Sequence, residues 1–301
     1  MKFIASWKEY LNNSEFLAKN TVESYIMDME LFIRFLTNFK SETVTKESLT
    51  SITKQDMRAW VLHRKNKGDS EKSISRGISS IKSFLRFSIK TNVIKESDII
   101  SMRSPKIKRS LPRPIPIDKI NDILLSINDI KKTNWIIKRD KALLILIYSV
   151  GLRISEALGL NRADIENCGD FINVLGKGSK IRMVPIIDKV KETILNYIKH
   201  LEFKNSEALF VNRFGERLSA SAVQKLIRKS RKSLGLPDSV TPHALRHSCA
   251  THIIENGGDL RSVQELLGHA SISSTQIYSD VAKKHVSDVY DKCHPMSKKK
   301  N

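Results

Sequence analysis

Four segments in the second half of this chain carry residue types that could act on an oxyanion. In GLRISEALGL, residues 151–160, Arg153 follows a glycine where two apolar helical runs meet. In VLGKGSKIRMVP, Lys177 sits at or beside the tip of a glycine-rich turn. In TPHALRHSCATH, residues 241–252, Pro242 suits a first helical position, so His243 and Arg246, three apart, project from one face of the opening turn. In LLGHASISSTQIYSDV, residues 266–281, Gly268 permits a sharp turn before His269, and Tyr278 follows nine residues later. Each has a plain reading when taken alone. Arg153 could simply pair with Glu156 on the next turn, Lys177 is a surface lysine, and a lone tyrosine is more often a core residue with a wet hydroxyl.

Taken together, Arg153, Lys177 and Arg246 gather positive charge that would repel a metal cation and suits an oxyanion. A metal reading competes through His243, His247, Cys249, His252 and His269, which include a pair spaced by four. It lacks an HExxH or paired-cysteine frame, so no metal and no other cofactor is expected.

These residues must be positioned by a largely helical protein. The chain has 301 residues, room for two ordinary domains, and 52 Lys and Arg against 32 Asp and Glu, a net charge of +20. Such an excess suits a polyanionic partner, DNA or RNA, although a merely soluble basic surface would look the same. Three scattered cysteines, Cys168, Cys249 and Cys293, give no disulfide framework, and no apolar stretch reaches membrane-spanning length. A reducing, cytoplasmic setting without membrane attachment follows.

Proline marks the division. None of the eight precedes Pro105, and Pro105, Pro112, Pro114 and Pro116 crowd into RSPKIKRSLPRPIP, which carries five basic residues and no acid. That reads as a stiff basic linker, residues 105–116, between a domain over 1–104 and another over 117–301. In the first, apolar residues recur at helical spacing (Val22, Tyr25, Met29, Phe32, Leu36; then Ile74, Ile78, Ile81, Leu85). Asn20 with Glu23, and Thr53 with Asp56, resemble N-caps followed by reach-back acids. Lys65, Lys67, Lys72, Arg76, Lys82 and Arg86 are scattered across this region, and only the fold decides whether they share a face. In the second domain, helices are expected over 117–127 and 136–149 and again from near Lys189, Ser221, Pro242, Leu260 and Thr275. Between them, Phe171–Leu175 and Ile181–Ile186 flank Gly176-Lys177-Gly178-Ser179 as a β-hairpin. The fold class is mainly α with one small sheet.

These ordered motifs, with RDKALLILIYSVGLRISEALGL, LFVNRFGERLS and DLRSVQELLGHASISSTQIY, resemble the tyrosine recombinase and integrase family, and within it the bacterial Xer recombinases. The resemblance spans nearly the full chain. It implies a two-domain fold, with a helical SAM-like core-binding domain and a catalytic domain, clamping duplex DNA. It further implies that Arg153, Lys177, His243, Arg246 and His269 surround the scissile phosphate and that Tyr278 is the nucleophile. All six positions hold the expected residue type. Cys249 stands where an aromatic is common and Ser274 where threonine is frequent, both flanking the site. The tail VYDKCHP resembles the ending of one of the two Xer sister types more than the other.

On this reading Arg153 and Arg246 offer planar forks to phosphate oxygens and His269 adds a donor, so charge in the transition state is stabilised without a metal. His243 accepts the Tyr278 proton, and Lys177 protonates the departing 5′ oxygen. The 3′-phosphotyrosyl bond keeps the energy of the broken phosphodiester, so rejoining needs no ATP. The resemblance also implies a heterotetramer with a XerD-like sister recombinase at a dif-like site, regulation by an FtsK-like translocase, and resolution of chromosome dimers. The helix after Tyr278, with Val281, Val286, Val289 and Tyr290, is a candidate for a segment exchanged between protomers. The rivals are a mobile-element integrase with the same chemistry, a DNA-binding architectural protein without cleavage, and a relaxing topoisomerase.

Overall fold

The computed structural model describes residues 2–15, 17, 19–102, 114–129, 133–176, 181–267 and 288–297. By its internal contacts the chain divides into two units, Met1–Ser110 and Leu111–Asn301.

The elements described in the first unit are all helices: α1 (Lys2–Asn13), α2 (Lys19–Lys40), α3 (Lys46–Thr50), α4 (Lys54–Asn66) and α5 (Glu71–Lys90). The apolar stripe of α5, Ile74, Ile78, Ile81 and Leu85, is fully buried against Trp7, Phe32 and Trp60 in one core. Helix α4 comes so close that a Cβ added at Gly77 would lie 2.4 Å from the Trp60 ring, so a larger residue there would displace the indole. Thr53 caps α4 as its spacing implies, accepting from the Asp56 amide while the Asp56 carboxylate accepts from the Thr53 amide. The other proposed cap is wrong. Helix α2 already begins at Lys19, so Asn20 lies within its first turn and its carbonyl accepts from the Ser24 hydroxyl. Cap spacing alone locates a helix start only to within a residue or two.

Folding also settles what the basic residues of α5 do. Lys72, Arg76 and Arg86 share its exposed side with Lys90. Arg76, however, forks onto the buried Asp28 at 2.7 and 3.1 Å, and Lys82 donates to the Met102 carbonyl. Lys90 lies over the Tyr10 ring. Much of this charge therefore stabilises the unit itself.

The second unit contains α6 (Ile117–Ser126), a 3₁₀ turn (Ile127–Asp129), α7 (Asn134–Val150), α8 (Ile154–Gly159), α9 (Ala163–Glu166), the hairpin β1 (Phe171–Leu175) and β2 (Ile181–Pro185), α10 (Asp188–His200), α11 (Ala220–Ser233), α12 (Pro242–Glu255) and α13 (Leu260–Leu267). From Ala142 to Val150 helix α7 is buried on nearly every side because that stretch is almost wholly apolar, and the helix packs between α10 and α12. The strands pair antiparallel with Phe171 opposite Pro185 and Leu175 opposite Ile181. Residues 177–180, with Lys177, lie outside the described residues. The linker is likewise outside them from 103 to 113.

Residues 288–293 form a further helical turn whose Tyr290 is buried and donates to the Ser149 carbonyl at 2.6 Å. Of the proposed exchange segment, then, Val289 and Tyr290 pack into the core of their own unit, while Val281 and Val286 lie outside the described residues. No described helix is long and apolar enough to cross a membrane.

Candidate active site

The site is built where α7 ends. Gly151 adopts the left-handed conformation (φ +66°) and turns the chain out of α7. A Cβ there would lie 2.7 Å from Leu267 and 3.4 Å from the Cys249 sulfur, so glycine is required by both conformation and space. Two residues later Arg153 opens α8, and one turn on Glu156 points back into the protein. Its carboxylate accepts from the Arg153 backbone amide at 2.8 Å, which fixes the first turn of α8.

Glu156 is the centre of the arrangement. Its side chain is 3% exposed and receives three arginines. Arg153 donates at 2.6 Å, Arg182 forks onto both oxygens at 2.9 Å each, and Arg246 approaches at 3.4 Å. Burial by itself would raise the carboxyl, but the Arg182 bonds and the Arg153 amide outweigh it and hold the group down at about 2. The carboxylate is therefore charged at any ordinary pH. Three guanidinium groups around one carboxylate leave a positive surplus in a mostly buried place.

The arginines are prepared differently. Arg153 is 41% exposed and spends one guanidinium nitrogen on Glu156, leaving most of its fork on the open side. Arg246 is 5% exposed, its first turn of α12 set by Pro242 and by the Thr241 cap, and it donates to the carbonyls of Gly151 and Leu267. Burial, and then the charge of Arg153, bring Arg246 down to about 10, so it stays protonated at neutral pH. His243 stands exposed on the same opening turn while Arg246 is turned into the protein, so the three-residue spacing gives the two side chains different exposure. His269 and Tyr278 lie outside the described residues, as does Ser274. Of the six candidates the described structure thus joins Arg153 and Arg246 through one carboxylate and places His243 on the helix that carries Arg246.

The plain alternatives for the histidines and cysteines also find their places. His252 bonds the Tyr148 hydroxyl at 2.9 Å within the core, and Cys249 is fully buried under Gly151, its thiol pushed up to about 12 by burial. Among the described residues no three His, Cys, Asp or Glu side chains stand together as a metal site would require. All three cysteines are free.

Sequence reasoning missed two members of the site. Glu156 entered only as a neutraliser of Arg153, and Arg182 was not singled out. A signal for Arg182 was present: on β2 it is in phase with the inward-facing Val184, and an arginine on the buried side of a strand needs an acid.

A second basic region lies on α11. Helix α11 contains no acid, and Lys225, Arg228, Lys229 and Lys232 are exposed with Ser221 and Gln224. Arg231 differs, being tied to Asp238 at 2.5 Å.

Comparison with known proteins decides the family. The phage integrase family model matches residues 119–285, and the phage integrase N-terminal SAM-like domain matches 4–92. The chain belongs to the phage integrase family. Like the other tyrosine recombinases of this family, it is an enzyme that cleaves and transfers DNA strands through a tyrosine. It is similar to the tyrosine recombinase XerC of Rickettsia prowazekii (strain Madrid E), with 37% identity covering 99% of this chain and 98% of that one. To XerC of Rhodospirillum centenum (strain ATCC 51521 / SW) it is 38% identical over 97% of this chain and 86% of that one. Its fold is shared with lambda integrase, solved as a dimer bound to a COC′ core site, at a TM-score of 0.70 and 19% identity over 95% of this chain and 77% of that one.

Proposed function

We propose that this recombinase acts as a XerC-type partner that cuts and rejoins duplex DNA at a dif-like site, resolving chromosome dimers before cell division. The observation that carries the chemical part is the pair Arg153 and Arg246, held by one buried carboxylate with positive charge to spare. A phosphodiester under attack gathers charge on its nonbridging oxygens, and fixed guanidinium donors stabilise it without reorganising. The near full-length likeness to XerC proteins supports the biological part.

In this reading Tyr278 attacks the phosphate, His243 takes its proton, and Arg153, Arg246 and His269 hold the oxygens. Lys177 protonates the leaving 5′ oxygen, and attack by a 5′ hydroxyl of the other duplex completes the exchange. Neither ATP nor a metal enters these steps. Residues 1–104 would form the core-binding domain and 117–301 the catalytic domain, joined across the DNA backbone by the basic segment 105–116. The outward cations of α11 would serve the DNA phosphates. A XerD-like sister would complete a heterotetramer, an FtsK-like translocase would regulate it, and the work would be cytoplasmic.

The test is a nicked dif-like duplex incubated with the protein, with and without a sister recombinase. A covalent adduct mapping to Tyr278, absent in Tyr278→Phe although DNA is still bound, is the expected result. Specific binding without any adduct, while a control recombinase is active on the same DNA, would favour a non-cleaving binder. A sulfur-substituted 5′ leaving group should restore Lys177→Ala, and failure to do so removes Lys177 from the acid role.

A further inference from the structure

Arg182 occupies an unusual position among the three arginines on Glu156. Arg153 keeps most of its donors on the open side, and among the described residues Arg246 bonds through neither its Nε nor one Nη2 hydrogen. Arg182 instead turns inward. Its side chain is 10% exposed, both Nη groups rest on the Glu156 oxygens, and Nε points to the Leu266 carbonyl at 3.4 Å. A phosphate approaching Arg153 would not meet this fork.

What Arg182 does to Glu156 bears directly on the other two. Without it, the carboxylate would be held by the Arg153 amide and by the two guanidinium groups meant for phosphate, and would neutralise them more completely. With it, both oxygens are fixed in plane by a bidentate partner, and a third positive charge offsets the acid. The carboxylate then serves as an oriented anchor whose own charge is already met. Arg182 also stands on β2, and the carbonyls it and Arg246 meet, Leu266 and Leu267, are consecutive at the end of α13.

We propose that Arg182 is a positioning residue, which through its fork on Glu156 sets the direction and the effective charge of Arg153 and Arg246 without itself touching the phosphate. The inference rests on the recombinase reading and extends it to a residue outside the six candidates.

The test compares the full chain with Arg182→Lys and Arg182→Met on the nicked duplex. DNA affinity and the single-turnover rate of adduct formation at saturating protein are measured separately, with the active fraction titrated. Both substitutions should slow adduct formation by about 10- to 100-fold, since misplacement of a group by ~1 Å can cost two decades. Affinity should stay within about twofold, because no phosphate contact is lost. Lysine keeps the charge but cannot fork, so its failure to restore the rate separates orientation from charge. Sulfur at the 5′ position should not rescue these variants, in contrast to Lys177→Ala.

If Arg182→Met fails to fold because Glu156 loses its bidentate partner, the double variant Arg182→Met/Glu156→Gln is compared with Glu156→Gln alone: because Arg182 acts through Glu156, the two should be equally slow, and a further loss in the double variant would overturn the proposal. Wild-type rates in both single variants, or full rescue by sulfur, would overturn the proposal while leaving the recombinase reading intact. Absence of an adduct with the wild-type protein would instead remove the reading and this inference together.

Discussion

The arginines around Glu156 and the basic side chains on the outer face of α11 are chemically similar and physically opposite. Around Glu156 each cation contacts a carboxylate that is itself 3% exposed, and Arg246 is further held by the carbonyls of Gly151 and Leu267. On α11, Lys225, Arg228, Lys229 and Lys232 stand in solvent on a helix that has no acid to pair with them. The first arrangement stores orientation, paid for during folding, and so suits the stabilisation of a short-lived charge distribution. The second leaves its charges mobile and hydrated, which suits a regular polyanion whose counterions are released on contact. Burial rather than residue type divides the two roles.

The largest effect should therefore come from the buried group. Arg246→Ala is expected to lower the rate of adduct formation by about two to three decades, with DNA binding largely kept, in a single-turnover assay. A loss confined to affinity would erase the distinction between the two regions. Glu156→Gln comes next. It removes the anchor's charge, so adduct formation should fall by more than about tenfold while binding persists.

The same substitution has a signature in pH. The Glu156 carboxyl lies near 2 in the folded protein against an ordinary value of 4.5, so folding favours its charged form. Its contribution to stability is complete above about 4.5 and is lost as pH falls from there through about 2. Denaturant unfolding across that window should show the wild-type protein losing stability with acid and Glu156→Gln losing less over the same range.

For the exposed face the expectation is smaller and depends on salt. Arg228→Ala should weaken DNA binding about fivefold at 0.15 M salt, and the slope of log K against log salt should become shallower by ~0.9, with the rate at saturation unchanged. The smallest effect is expected from Asp238→Ala. This residue pairs with Arg231 at 2.5 Å but its side chain is 94% exposed, and such pairs seldom stabilise measurably. An unmoved thermal midpoint would confirm that an ion pair in this protein matters only where it is buried.

Much of this design was legible in the chain. The helical periodicity of α5, the Thr53–Asp56 box, the hairpin strands and the Pro242 start of α12 all depend on residues near one another in sequence, and each is found in the structure. The Asn20 cap failed because the same local pattern fits several starting points within a turn. The hub at Glu156 was only half legible. The contact with Arg153 is local, three residues apart, whereas Arg182 and Arg246 reach it across 26 and 90 positions.

By itself, then, the sequence determined the helical class, caps such as Thr53 and Thr241 made by neighbouring residues, and the types of side chain available for phosphate chemistry. Only the tertiary structure decided which cations are consumed and which remain available. Arg76 is drawn to Asp28 from 48 positions away, Arg182 is turned inward on β2, and Lys225, Arg228, Lys229 and Lys232 of α11 are left exposed. The reason is physical: burying a charge is costly unless a partner is brought to it, and only packing fixes which charges are buried and which partners arrive.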